Sequence, residues 1–311
     1  MNEKNETLSL GRPEVPKGRF KCNFCKECLG GGCIGELPGM GGVEKSSNFI
    51  KNCHDWKKLY KKIAADPNKN GLLHLHCDIH EKLGIAPVTG AVQNIGFENE
   101  KDFYLPYFWC AAETGISICV GDGYPDEKLE LGIQACKTLG KKAYFFFKPY
   151  PDEILEKRIA MAKPYAIAMG MDIDAYNIVT MRNQVNLEQK TAGQLEWFRK
   201  KSGLPLIIKG VFSEKDLQLC DQVHPDIAVV SNHGGRVDTV AGSTAEFLYE
   251  HAARLKEICT ELWVDGGIRT ANDLKIACCL GASKVLVGRP FISSLCQNGI
   301  DGMLEKIRSF E

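Results

Sequence analysis

Ile227-Ala228-Val229-Val230-Ser231-Asn232-His233-Gly234-Gly235-Arg236 joins a short apolar run to a polar, glycine-bearing loop. The first four residues have the length and β-branched character of a strand buried on both faces. The next six set an imidazole and a guanidinium three residues apart, just beyond that strand's C-terminal end. Side chains so placed are expected to share one pocket, and the paired glycines let backbone approach a planar ligand closely.

Outward from this stretch the same unit recurs. Further candidate strands are Gly84–Val88, Gly115–Val120, Ala143–Phe147, Ala166–Met171, Pro205–Lys209, Glu261–Val264 and Lys284–Val287. Each is short and rich in Val, Ile, Ala or Phe. Amphipathic stretches separate them: Asp126–Leu139, Asp152–Ala162, Thr191–Lys201, Ser213–Leu219, Thr244–Cys259 and Ala271–Leu280. Asp152, Ser213, Ser243 and Thr270 stand where helix caps are expected. Eight β/α units in about 225 residues predict a single TIM (β/α)8 barrel. An open doubly wound sheet would want a glycine-rich turn after its first strand, and there is none. The expected organisation is an N-terminal, cysteine-rich extension over residues 1–82 and a barrel over residues 83–311. Within the extension, Ser46–Ile63 reads as a helix and Leu72–His80 as a half-exposed edge strand.

The 311 residues are 44% hydrophobic and 25% charged, an ordinary globular composition. Lys plus Arg and Asp plus Glu both total 39, so net charge offers no case for nucleic acid or an anionic membrane surface. No apolar run is long enough to span a bilayer, and the first twenty residues lack the apolar core of a signal peptide. Fourteen cysteines in such a chain suggest the reducing cytoplasm, where thiols are free or bind metal.

In a barrel, the residues at strand C-terminal ends meet over one mouth. That rule gathers Asp172, Lys209, the loop Ser231–Arg236, Asp265-Gly266-Gly267-Ile268-Arg269 and Gly288-Arg289-Pro290. The last two motifs follow strands seven and eight, where such barrels commonly hold phosphate on backbone amides and a helix N-terminus. Arg269 and Arg289 would add charge-assisted hydrogen bonds.

Taken together, Ile207-Ile208-Lys209-Gly210-Val211, Val230–Arg236, Val264–Arg269 and Val287–Pro290 resemble the FMN-dependent α-hydroxy-acid oxidase and dehydrogenase family, over about Leu83 to Ile292. The resemblance implies an enzyme that uses FMN to oxidise a 2-hydroxy acid to a 2-keto acid. By that resemblance His233 is the base, Asp172 the aspartate paired with it, Arg236 the anchor of the substrate carboxylate and Lys209 the cation beside the flavin N1 and C2 carbonyl. Pro87, Val88, Thr89, Ser231, Gly234, Asp265, Gly266, Gly267, Arg269, Gly288 and Arg289 complete the implied FMN site. Relatives often form homo-oligomers by packing barrels side by side. The substrate's side chain and the electron acceptor stay open.

The chain departs from the family in three places. Phe145 aligns with a substrate-binding tyrosine and Ala143 with a flavin-binding glutamine, while strand alternation is expected to turn Tyr144 away from the mouth. A second tyrosine is replaced by Leu37-Pro38-Gly39-Met40-Gly41-Gly42. A serine after strand two falls at Gly121 or Asp122. In addition, Cys22, Cys25, Cys28 and Cys33 have metal-ligand spacing. Successive two-residue gaps suit an iron–sulfur cluster ahead of zinc, with free thiols as the alternative. A cluster there would favour a dehydrogenase over an oxidase. Two competing readings are a flavin electron carrier or redox sensor working through these cysteines, and an FMN-dependent isomerase of isoprenyl diphosphates. The isomerase would need further basic residues and no His233–Arg236 pair.

Overall fold

The structure, a computed structural model, describes residues 11–16, 19–22, 46–67, 70–74, 77–178, 181, 183–237 and 239–311. Eight parallel strands run β1 (Leu83–Ile85), β2 (Cys119–Gly121), β3 (Ala143–Phe147), β4 (Ala166–Asp172), β5 (Leu206–Val211), β6 (Ile227–Val230), β7 (Glu261–Asp265) and β8 (Lys284–Val287). Their order in the sheet is β1-β8-β7-β6-β5-β4-β3-β2. A parallel bridge between Gly84 and Ser117 closes the ring, with Ile85 N donating to Ser117 O at 3.0 Å and Ser117 N to Leu83 O at 3.1 Å. The molecule is a TIM barrel.

Ten helices accompany the strands among the described residues: α1 (Ser47–Ala64), α2 (Ile79–Lys82), α3 (Lys101–Glu113), α4 (Glu127–Leu139), α5 (Asp152–Ala162), α6 (Ala192–Ser202), α7 (Glu214–Val223), α8 (Thr244–Ile258), α9 (Ala271–Cys279) and α10 (Arg289–Arg308). Ser46, Ser213, Ser243 and Thr270 each accept a hydrogen bond from a first-turn amide, satisfying donors that a helix leaves open. Asp152 does not cap α5: it is the first helical residue, and Pro151 precedes it without a side-chain bond. The edge strand expected over Leu72–His80 is also absent from the described residues. Asn70–His74 forms a 3-10 turn, and Asp78 caps the short helix α2 by accepting from His80 N at 2.9 Å. Local capping there outweighs the apolar alternation that suggested a strand.

Strand alternation sorts side chains between two cores. Cys119, Phe146, Ala168, Ile207, Ile227, Val229, Trp263 and Leu286 fill the barrel interior, with Tyr144 packed against them. Phe145, Phe147, Met169, Met171 and Ile208 face the helices. The Tyr144 and Trp263 rings meet inside at 4.8 Å, while Phe147 meets Phe198 of α6 at 5.8 Å. The expected facing of β3 is therefore reversed: Tyr144 points in, and Phe145 lies in the outer layer, away from the mouth. A slip of one residue in reading a strand turns every side chain to the opposite face.

Candidate active site

Two residues past the interior layer, the same inward-facing series reaches the C-terminal mouth. On β3 it continues from Phe146 to Lys148, on β4 from Gly170 to Asp172, on β5 from Ile207 to Lys209 and on β7 from Trp263 to Asp265. Asp172 and Lys209 are register partners across β4 and β5. Charged groups thus line the mouth of a cleft of about 1040 Å³, bounded by Ala86–Thr89, Lys148, Lys209, His233, Gly234, Arg236, Asp265–Arg269 and Val287–Arg289 among others.

Lys148, Asp172 and Lys209 are 8%, 2% and 2% exposed. At such depth a lone charge is untenable, and each is compensated. The Lys148 ammonium pairs closely with Asp172 Oδ2. Lys209 Nζ lies 3.2 Å from Asp172 Oδ1 and 3.5 Å from Asp265 Oδ2. Burial alone would raise the Asp172 carboxyl; Lys148, Lys209 and His233 outweigh it and hold the group well below the usual carboxylate range. Burial likewise opposes the Lys209 ammonium, but Asp172, Asp265 and Asp174 hold it above the ordinary lysine value.

His233 sits in this cluster with a backbone φ of +51°, a left-handed conformation that side chains other than glycine seldom adopt. Its Nδ1 is 2.7 Å from Asp174 Oδ2, and its Nε2 is 3.1 Å from Lys148 Nζ and 3.3 Å from Asp172 Oδ2. With Nδ1 donating to Asp174, Nε2 is left as the acceptor facing Lys148. Gly210, at φ +98°, makes room for this arrangement: a Cβ there would meet the Asp174 carboxyl at 2.4 Å. Asp172, Asp174 and His233 are also the one group of potential metal ligands among the described residues. The two ammonium groups already supply the positive charge a cation would bring.

The Arg236 guanidinium has no hydrogen-bond or ion-pair partner among the described residues, and its Nε is buried. Burial, then the positive charge of Arg289, push it down to about 9. A desolvated cation without an anion is poised to take one. On the other side of the cleft, Gly266 and Gly267 have φ of +91° and +82°, and Gly288 precedes the N-terminus of α10. Arg289 donates to Gly234 O at 2.9 Å and lies 4.5 Å from the Phe49 ring, with Arg269 at 6.0 Å from the same ring. Glycine amides, a helix N-terminus and two guanidinium groups make a setting suited to a phosphate.

Helix α1 braces both halves of the mouth. Asn52 Nδ2 donates to Asn232 Oδ1 at 2.7 Å, and Asn52 Oδ1 accepts from Thr244 N at 3.0 Å. Asn48 donates to Val237 O and Val240 O, Ser46 Oγ to Gly235 O, and Trp56 Nε1 to Gly266 O at 2.8 Å. A Cβ on Gly267 would strike Asn52 O at 1.8 Å.

All but two of the residues expected at the site line this cleft. Asp172 lies beneath Lys148, and Ser231, fully buried, turns its Oγ to accept from His233 N at 3.2 Å. Asp122, in the loop after β2, receives 2.6 Å from Arg158 Nη1, and burial raises its carboxyl to about 6 despite Arg158. Sequence reading missed Lys148, Asp174 and the α1 asparagines. The signal for Lys148 was the β3 register; for Asp174, it was the polar spacing in Met171-Asp172-Ile173-Asp174. Cys22 is described, with Sγ 3.3 Å from Ser293 Oγ. Cys25, Cys28, Cys33 and the 37–42 segment lie outside the described residues. No helix among the described residues is long and apolar enough to cross a membrane.

Known proteins bear directly on this arrangement. 2-Hydroxyacid oxidase 2 of Bos taurus is 39% identical over 111 residues, 36% of this chain and 31% of that protein. 4-Hydroxymandelate oxidase of Amycolatopsis orientalis is 40% identical over 109 residues, 35% of this chain and 30% of that protein. The matched stretches thus span less than a third of these relatives' lengths. A tyrosine-to-phenylalanine variant of mandelate oxidase, solved with a monooxide FMN adduct, shares the fold with a TM-score of 0.62 at 22% identity, covering 87% of this chain and 85% of that one. The pattern of the FMN-dependent dehydrogenase family matches residues 142–311, which carry strands β3 to β8 and most of the charged mouth, and the chain belongs to that family.

Proposed function

We propose that this chain oxidises a 2-hydroxy acid to the corresponding 2-keto acid, with FMN held in the cleft by the residues described above. The observation that carries the reading is the Arg236 guanidinium, half-buried with its Nε sealed from solvent and without an anion, three residues from an imidazole whose Nε2 faces the same cleft. The glycine turns and guanidinium groups after β7 and β8 suit the phosphate of FMN, and Pro87–Thr89 border its other flank. When bound, FMN accepts the two electrons released as the C2–H bond breaks.

The chain's own residues supply the rest. Arg236 binds the substrate carboxylate through a two-pronged contact and fixes which face of C2 is presented. His233 Nε2 takes the hydroxyl proton, and Asp174 on Nδ1 stabilises the imidazolium that results. To meet the hydroxyl, Nε2 must exchange its contact with Lys148. The displaced ammonium, still tied to Asp172, can donate to the C2 oxygen as it becomes a carbonyl. Lys209 places a fixed positive charge at the centre of the mouth. The spacing of Cys22, Cys25, Cys28 and Cys33 supports an acceptor other than oxygen, reached through an iron–sulfur cluster; iron and sulfide analysis of anaerobically purified protein tests that part.

The decisive experiment is anaerobic absorbance titration of the FMN-loaded protein with a panel of L- and D-2-hydroxy acids. Bleaching by one member, with formation of the 2-keto acid, is expected. FMN that stays oxidised throughout a panel of aliphatic, aromatic and dicarboxylic members would overturn the reading.

A further inference from the structure

Away from the mouth, Cys77 and Cys278 bring their sulfurs to 3.1 Å. Cys77 precedes the Asp78 cap of α2, and Cys278 lies in the last turn of α9. Neither lines the cleft, so the chemistry of the mouth does not use them. Both thiols are partly exposed, unlike Cys110, Cys119, Cys136 and Cys220, which are buried. Forming a bond would need an approach of about 1 Å, within the reach of χ1 adjustments at the end of a helix and in a loop.

The surroundings give the two sulfurs unequal roles. The contact with Cys278 favours the thiolate of Cys77, and the nearby charges of Lys82 and Lys275 add to that against burial. Cys278 is pushed the other way, first by that same contact and then by burial. With both Lys82 and Lys275 beside it, Cys77 is placed as the attacking sulfur, and Cys278, 3.1 Å away, as the thiol within reach to resolve it.

We propose that Cys77 and Cys278 form a dithiol site that reacts with a hydroperoxide and closes to a reversible disulfide. The Cys77 thiolate attacks the peroxide oxygen, breaking the O–O bond to give a sulfenic acid and, after protonation, water or the alcohol. The Cys278 thiol then attacks that sulfur, the S–S bond forms, and a second water leaves. Two thiols lose two electrons and the peroxide gains them. The new bond ties the segment before β1 to α9, closing a loop of roughly two hundred residues, so the oxidised protein resists unfolding more strongly.

The full-length protein, reduced and then treated with one equivalent of hydrogen peroxide, is blocked with N-ethylmaleimide, digested and mapped by mass spectrometry. A peptide pair linked through Cys77 and Cys278, released by dithiothreitol, is expected, together with a rise of at least about 3 °C in the thermal midpoint. Cys278→Ala should abolish both and leave a dimedone-reactive sulfenic acid at Cys77; Cys77→Ser should abolish all three signals. Linkage of Cys77 to any other cysteine, absence of the linked pair, or an unchanged midpoint would overturn the proposal. FMN reduction plays no part in these readouts, so they stand apart from the oxidation chemistry of the mouth.

Discussion

At the level of single residues, the mouth separates proton handling from anion binding. His233 is held by Asp174 on one nitrogen and faces Lys148 with the other, whereas Arg236 has no partner of its own. Their losses should therefore look different. His233→Ala is expected to slow FMN reduction by a 2-hydroxy acid by about 10²- to 10⁴-fold while FMN content stays at the wild-type level. Stopped-flow reduction beside the absorbance of the purified protein reads both quantities. Arg236→Lys keeps a positive charge but loses the planar fork. Its expected signature is a KM raised by about tenfold to a hundredfold, with a smaller change in kcat, because a charge-assisted pair contributes about 1.5–3 kcal/mol. An unchanged KM in steady-state kinetics would remove Arg236 from carboxylate binding.

Among the elements, β3 and α1 explain most of what sequence alone left hidden. The eight strands were legible because buried parallel strands are short continuous apolar runs, and the glycine-bearing loops after β6, β7 and β8 stood out at their ends. On β3 that same uniformity conceals the register: Tyr144, Phe145, Phe146 and Phe147 are all compatible with either face. Only the pairing of Tyr144 with Cys119 and Phe145 with Val120 aims Lys148 inward. The role of α1 was illegible for another reason, since its contacts with the 233–235 turn and the Gly266–Gly267 turn join residues about two hundred positions apart. Asn52 shows what this brace is worth. Asn52→Ala would leave Thr244 N and the Asn232 amide buried without their partners, a loss of about 2–4 kcal/mol in stability. Urea unfolding should detect it, and FMN retention should weaken alongside because Asn232 and Thr244 lose their support. Wild-type stability in the variant would mean that water replaces the amide freely.

For the molecule as a whole, the barrel gathers the coupled charges of Lys148, Asp172, Lys209 and Asp265 at its mouth, so its stability should carry the signature of that end. Asp172 has a folded pKa depressed well below the usual range, set by Lys148, Lys209 and His233 against burial. A depressed carboxyl contributes stability that is complete above the unfolded value of about 3.9 and is lost as pH falls through the folded one. Lys209, raised above the ordinary lysine value, contributes in the opposite sense: its share is complete below about 10.4 and is lost as pH climbs past the folded value. The network therefore favours the folded state across the neutral range and withdraws that support at both extremes. Asp172→Asn keeps the shape of the side chain but leaves two buried ammonium groups short of an anion, which costs about 3–5 kcal/mol near neutrality. That deficit should shrink as pH drops below about 4, by up to about 1.4 kcal/mol per pH unit, because the unfolded wild type then takes up a proton that folded Asp172 does not. Denaturant unfolding of the two proteins from pH 3 to 8 measures the difference directly. A gap that stays constant to the lowest pH at which both proteins fold would mean that the carboxylate is not what holds the two lysines in the mouth.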